Sequence, residues 1–401
     1  MLPIEWEEKK LEDVCNFYLG LTYTPKYVDS GVPFLSVKDI TKGYLSFEKT
    51  RYIAREEFEN STSNAKPQRG DIIFGRVGTL GQPLIVETDI EFCIFVSLGL
   101  MRVFDNLHNV FLKQWMTSDY FTKQVDSKVI GSAQKNLNIG WLRNFKILLP
   151  SLKEQEKIAD ILSTTDAKID AIASQIEKAE TLKKGLLQKL LSEGIGHSEF
   201  KDSEIGKIPA SWEVGKLSDL GKIITGSTPK TSNQDFYING TRLWASPSDL
   251  GKSKEIKNTN TKLSDLGFEQ IRVLEERSIL ITCIGSTIGK MGIAYEEMSS
   301  NQQINAITCN QYNNPDFYYY ALLQIQDKIK KLAGTQAVPL LNKTDFSQIK
   351  IIKAPLKEQK QIADILSTAD KKLEVLRAKK QMYDTLKKGL LQKLLSGEVR
   401  I

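Results

Sequence analysis

One segment of this chain occurs twice. Leu152–Asp170 reads LKEQEKIADILSTTDAKID and Leu356–Glu374 reads LKEQKQIADILSTADKKLE, while Thr181–Ser192 and Thr385–Ser396 are identical, TLKKGLLQKLLS in both. From 152 to 356 and from 181 to 385 is the same step of 204 residues, so nothing has been inserted or lost between the blocks. A helix imposes that constraint, because one added residue turns every later side chain by about 100° and carries the apolar stripe off its partner. In the first copy Ile158, Leu162, Thr165, Ile169, Ile172, Ile176 and Ala179 recur at steps of four and three, followed by Leu182, Leu186 and Leu190. The second copy gives Ile362, Leu366, Ala369, Leu373, Leu376, Lys380, Tyr383, Leu386, Leu390 and Leu394. These are coiled-coil seams, each with a polar member. Ser151 followed by Glu154 fits a capping box, and Gly194 and Gly397 stand where C-caps are expected. Each helix then runs to roughly 60 Å, unless Ser163-Thr164-Thr165 and Ser367-Thr368 interrupt it and start another. The surface lysines repeat as faithfully as the leucines, which core packing alone does not require.

The helices divide the chain into four parts. Residues 1–150 read as a mixed α/β domain with strands at Val32–Val37 and Asp71–Phe74, apolar runs over Ile85–Val103 broken by Gly99, helical signals at Val110–Val125 and a last strand at Ile147–Leu149. Then come a helix at 151–194, a linker and second α/β domain at 195–353, and a second helix at 354–401. The second domain repeats the first at lower similarity: Pro3-x-x-Trp6-Glu7 returns as Pro209-x-x-Trp212-Glu213, and Lys10-Leu11-x-Asp13 as Lys216-Leu217-x-Asp219. Helices that stay alike serve one shared task, and domains that drift apart bind different things. Antiparallel packing of the helices is expected, because it makes neighbours of the two points at which the second domain joins them. By the same repeat the chain is nearly circular, with Met1 expected near Ile401.

Composition excludes several classes. A 26% share of charged residues with 41% hydrophobic ones is ordinary for a globular protein, and the net charge of +6 permits a polyanionic partner without demanding one. Cys15, Cys93, Cys283 and Cys309 are far apart and His108 and His197 lack ligand-like neighbours, so reduced thiols and no zinc are expected. No apolar run reaches the roughly 18 residues of a membrane span, which makes a cytoplasmic protein with no membrane partner the expectation. Gly285-Ser286-Thr287-Ile288-Gly289-Lys290 superficially suggests a phosphate loop. It is one residue short between its glycines and has Met291 where Ser or Thr is required, so a glycine-rich turn is the better reading and a nucleotide-binding enzyme the weaker one. With two histidines no Ser-His-Asp or Cys-His pairing is assembled, and no catalytic residues are expected. Cationic and amide side chains do gather in the predicted loops: Lys38, Arg76, Gln134, Lys135 and Asn136 in the first domain, Lys230, Asn233, Lys290, Gln336 and Asn342 in the second. Lys and Arg neutralise phosphates, and Asn, Gln and Arg hydrogen-bond base edges, although surface loops are polar in any case.

Taken together, the paired Leu-Lys-Glu-Gln-x-x-Ile-Ala-Asp-Ile-Leu-Ser and Leu-Lys-Lys-Gly-Leu-Leu-Gln-Lys-Leu-Leu-Ser blocks, the Gly206-Lys207-Ile208-Pro209-x-x-Trp212-Glu213 entry and the Arg76-Val77-Gly78-Thr79-Leu80-Gly81 turn resemble the specificity subunits of type I restriction-modification enzymes. The resemblance covers essentially the whole chain, and it departs from the pattern in having Ile284 where Arg76 stands. It implies an α/β (α+β) fold: two mixed α/β target recognition domains related by a pseudo-twofold axis, separated by two long antiparallel helices that form a coiled-coil spacer. It implies further that each domain reads one half of a bipartite double-stranded DNA site. Thr79 and Thr287, in the two Thr-x-Gly turns, join the loop residues above as candidate DNA contacts. The helices would dock two methyltransferase subunits, joined in turn by translocase-nuclease restriction subunits. S-adenosylmethionine would belong to the methyltransferase subunits and ATP and magnesium to the restriction subunits, with no cofactor on this chain. The complex would be an adenine methyltransferase and ATP-dependent endonuclease of which this chain is the non-catalytic reader. A coiled-coil scaffold that meets only proteins is the alternative.

Overall fold

A computed structural model describes residues 6–41, 43–61, 65–78, 80–129, 136–334 and 338–401. The chain divides into two compact units, Met1–Ser174 with Ala378–Ile401, and Gln175–Arg377. Each unit holds one α/β domain, the head of one long helix and the tail of the other.

In the first unit, the strands Cys15–Leu19, Leu98–Val103, Ile72–Gly75 and Leu84–Ile85 form an antiparallel sheet in that order. A second sheet runs Tyr27–Val28, Arg51–Ile53, Val32–Leu35, Cys93–Ile94, with the last pair parallel. Gly99 does not break its strand as the sequence suggests. It opens space for the Phe74 ring, which a Cβ at Gly99 would meet at 2.4 Å. The helical stretch expected at Val110–Val125 is two helices, Asn109–Met116 and Asp119–Val129, and Glu7–Lys10 pairs with Lys146–Leu149 to close the domain. The second unit repeats this plan. Its five-stranded sheet runs Gly221–Thr225, Ile304–Cys309, Ile279–Thr282, Met291–Ala294, Glu255–Ile256, and a four-stranded one runs Thr261–Leu263, Arg242–Ala245, Met298–Ser300, Val273–Leu274.

Both long helices are unbroken, Leu152–Ser192 and Leu356–Leu395. The Ser/Thr clusters do not interrupt them, because the Thr165 hydroxyl donates back to the Ile161 carbonyl at 2.9 Å and Thr368 to Asp364 at 2.8 Å, which satisfies both groups within the helix. Gly194 and Gly397 follow the last turns with φ of +67° and +73°, as expected of C-caps. Within each unit the helix segments run antiparallel. In the first, Leu391, Leu394 and Leu395 share a core with Ile158 and Leu162, and Lys387 pairs with Asp166 at 2.5 Å. In the second, Leu190 and Leu191 share a core with Ile362 and Leu366, and Lys183 pairs with Asp370. A step of 204 residues forward from Asp166 and back from Lys387 gives this second pair.

These pairs correct the seam. Leu182 and Leu386, placed in it for their apolar character, are 62% and 47% exposed, and the half-buried side chains of Lys183 and Lys387 take the seam position instead. Regular alternation of three and four residues passes from Ala179 to Lys183, and geometry overrides residue type here.

The Glu-Gln pair that opens each helix joins it to its domain. Gln155 donates to the carbonyls of Pro150 and Asn106 at 3.0 and 3.1 Å and accepts from the His108 amide at 2.9 Å. Gln359 does the same with Ala354, Tyr312 and the Asn314 amide at 2.7, 3.4 and 2.7 Å. The capping box is half formed: the Ser151 hydroxyl accepts from the Glu154 amide at 3.3 Å, but the Glu154 carboxylate takes the indole N–H of Trp6 at 3.3 Å and two donors of Arg400 at 2.7 and 3.0 Å. Glu358 is held at 2.8 Å by each of three groups, the Trp212 indole, His197 and the Ile195 amide. Met1 lies outside the described residues, but Arg400 sits 5.9 Å from the Trp6 ring, so the two ends of the described chain meet. Replacing Gln155 or Gln359 by Ala is expected to destabilise its unit by about 1–3 kcal/mol, the cost of leaving buried backbone groups without partners. Urea denaturation measures it.

Candidate nucleic-acid interface

The turn after the central strand of each domain contains two glycines that the backbone requires in the left-handed region, Gly78 and Gly81 in the first domain and Gly285 and Gly289 in the second, with φ between +78° and +92°. Beside each turn runs the loop that leads into a short helix. Val77 bridges Asn136 and the Leu137 amide donates to the Arg76 carbonyl. Likewise Ile284 bridges Leu340 and the Gly285 amide donates to Pro339. Each domain thus brings two of its three candidate loops together, as the sequence could not show, while Lys38 in the first domain and Lys230 and Asn233 in the second stand on separate loops.

Their side chains differ in what remains available. Arg76 is 8% exposed, and its guanidinium donates to the carbonyls of Leu137 at 3.1 Å and Val96 at 2.9 Å. Burial lowers its pKa from the ordinary arginine value. It ties the turn to the neighbouring loops through Nε and Nη1. Asn342 caps the helix Lys343–Ser347, accepting from the Asp345 amide at 2.8 Å, and Asn233 caps a short 3₁₀ turn, accepting from the Asp235 amide at 3.1 Å. Lys38, Asn136, Lys230 and Lys290 are exposed, and Thr287 is half-buried. Thr79, Gln134, Lys135 and Gln336 lie outside the described residues.

The Gly285–Lys290 turn has the wrong chemistry for a phosphate cradle. A phosphate loop aims free backbone amides at its anion. Here the amides of Gly285, Ile288, Gly289 and Lys290 donate to the carbonyls of Pro339, Gly285, Thr282 and Thr287. Sequence reasoning missed the cleft of about 790 Å³ beside Lys38, which Tyr27, Phe34, Lys49, Arg51 and Phe95 also line. Its members come from four stretches of the sequence, and the signal lies in strand pairing rather than in any run of residues.

Two domains of one plan on repeated helices, with different side chains at matching loop positions, define a recognition subunit. The chain belongs to the type I restriction modification DNA specificity domain family, whose model matches residues 3–181 and again 209–382. It is 29% identical over 413 residues to a candidate specificity subunit of the type I restriction enzyme MjaX from Methanocaldococcus jannaschii, the match covering 100% of this chain and 95% of that one. With the specificity subunit of the MjaVIII enzyme of the same organism it shares 27% over 418 residues, covering 100% and 94%. The crystal structure of the type I restriction-modification S subunit of M. genitalium shares its fold with a TM-score of 0.65 at 16% identity, over 98% of this chain and 96% of that one. Among the described residues no helix is long and apolar enough to cross a membrane.

Arg76→Met is expected to lower stability by about 1–3 kcal/mol, since two carbonyls lose a charged donor, and to leave the salt dependence of any polyanion binding unchanged. Thermal melts together with binding at several salt concentrations check both halves.

Proposed function

We propose that the domains at 1–150 and 195–353 each read one half of a bipartite double-stranded DNA site, while the helices at 151–194 and 354–401 dock two methyltransferase subunits and fix the gap between the halves. Chemistry then resides in the partners: S-adenosylmethionine on the methyltransferase subunits, ATP and magnesium on restriction subunits. The observation that carries this reading is the contrast between helices whose end blocks repeat at a fixed 204-residue step and domains alike in plan but not in loop chemistry. A further observation supports two copies of one partner. Ile161 and Ile365 are 37% and 40% exposed, and the blocks that repeat them also repeat the outward-facing Leu182 and Leu386. Because the helices run antiparallel, the first unit presents Ile161 and Leu386, and the second presents Leu182 and Ile365. Each unit therefore offers the same kind of apolar contact.

The test is exchange of residues 205–353 for the same region of a relative, followed by sequencing of methylated adenines in cells that hold the partners. One half of the methylated site changes and the other stays. A change in both halves, or methylation without sequence preference, overturns the reading and favours the scaffold that meets only proteins. A second expectation concerns the gap: four residues inserted after Ala173, about one helical turn or 6 Å, keep both half-sites and lengthen the distance between them, whereas one residue breaks the seam. The same sequencing reads the outcome, and altered bases at constant spacing would count against the ruler.

A further inference from the structure

We propose that Arg51 is a base-reading residue of the first domain, donating to the O6 and N7 edge of a guanine in the major groove, with Lys38 and Lys49 on the flanking phosphates. This rests on the DNA-reading function proposed above and names the chemistry of one of its sites. The guanidinium of Arg51 lies 4.4 Å from the Tyr27 ring centroid, stacked over it at the cleft. Tyr27 packs in turn on Phe34 at 6.0 Å, and Phe34 on Phe95 at 5.9 Å, so an aromatic row supports the cation from below. Asp39 and Glu48 also line the cleft, so net charge does not single it out. What singles it out is commitment. Arg55, Arg69 and Arg102 in the same domain each hold carboxylates, Arg76 holds carbonyls, Arg143 ends a short helix and does not line the cleft, and the Asp39 carboxylate is taken by the Ser36 amide and hydroxyl at 2.7 and 3.0 Å. Among the described residues no carboxylate lies within ion-pair distance of Lys38, Lys49 or Arg51.

The second domain supplies the comparison. Phe34 stands opposite Arg51 and in parallel register with Cys93; Trp244 stands opposite Thr261 and in parallel register with Ser299. Both strands lead into a Ser-x-x-Asp turn, in which the Ser246 amide donates to Asp249 at 2.9 Å as Ser36 does to Asp39. The backbones correspond residue for residue, so Thr261 occupies the place of Arg51 and Ser248 that of Lys38. There the polar groups bond one another: the Ser248 hydroxyl meets Ser246 at 2.8 Å and Asn260 at 3.1 Å, and the Thr259 hydroxyl donates to the Thr261 carbonyl at 2.7 Å. Matching strand register with different side-chain chemistry marks a position suited to set specificity. A planar guanidinium held by a ring presents two fixed donors at little entropic cost, which suits the paired acceptors of guanine; a phosphate needs only charge, which the two lysines supply.

The experiment uses the chain assembled with its methyltransferase partners and measures methylation of duplexes that carry every base at each position of the site. Arg51→Lys keeps the charge and removes the fork. It is expected to reduce discrimination at a single guanine–cytosine pair, in the half-site of the first domain, by roughly ten- to a hundredfold, with the other half-site unchanged. Tyr27→Phe keeps the stacked face and the specificity, while Tyr27→Ala relaxes the same base pair. Lys38→Ala and Lys49→Ala weaken all duplexes alike and make binding less dependent on salt. The inference is overturned if Arg51→Lys and Arg51→Ala leave the recognised sequence intact, if they merely flatten the salt dependence, or if the first half-site contains no guanine–cytosine pair. Absence of sequence preference in the unmodified assembly would instead sink the proposed function itself. Arg51 is exposed, so thermal melts of its variants should match the parent; if Arg51→Ala melts early, the Lys variant decides.

Discussion

Everything in the fold depends on how a long helix is fastened to a globular domain at its first turn. Each helix opens with a glutamate and a glutamine that are almost wholly buried, Glu154-Gln155 and Glu358-Gln359. A buried carboxylate and a buried amide are costly unless every lone pair and N–H finds a partner. Here the amide clamps the polypeptide just before the helix and the loop that precedes the helix Asn109–Met116, or its counterpart Pro315–Gln324, while the carboxylate binds the tryptophan near the start of the domain. Three separate stretches of chain are thus fixed to one helical turn. That explains why the Leu-Lys-Glu-Gln block repeats intact while the loops beyond it vary.

The middle of the helix pair obeys the same economy with more freedom. Asp166 and Asp370 each meet a lysine from the opposite helix and a donor from the adjoining domain. The donor is Gln114 in one unit and Tyr320 in the other, at 2.7 and 2.6 Å. In the second unit Lys254 joins as well, reaching Asp316 at 2.6 Å and Ser367 at 2.7 Å. The helices pose a constant question, an aspartate in need of a donor, and each domain answers with its own side chain. Divergence in the domains is tolerated wherever the hydrogen-bond demand of the helix is still met.

Much of this was legible in the sequence. The 204-residue step, the helix ends, the antiparallel packing and the equivalence of Trp6 with Trp212 all follow from repetition and from the period of a helix. Legibility failed where residue type and geometry disagree. Leu182 and Leu386 have the character of seam residues but stand outside, because a lysine of suitable length with an aspartate opposite holds the seam position. Arg76 has the character of a polyanion contact but also commits two of its donors to carbonyls, a structural use the sequence did not signal. Arg51 offers no signal in the sequence, because a lone arginine in a short strand carries no pattern. Its significance comes from Phe34 opposite it and Tyr27 beneath it, and such pairings across strands are invisible until register is known.

The fastening of the first helix has a consequence for how the chain is made. Glu154 receives its cation from Arg400, 246 residues further along, whereas Glu358 receives His197, which precedes it by 161. During synthesis the second domain therefore finds the partners of Glu358, namely Ile195, His197 and Trp212, already present when its helix emerges. The first domain emerges earlier, but Glu154 lacks Arg400, and the core around Ile158 and Leu162 lacks Leu391, Leu394 and Leu395, until the last turns of the second helix return to it. The domain begun first is the last to be finished, and a ribosome that stops short of Arg400 releases a chain whose early half has never been sealed.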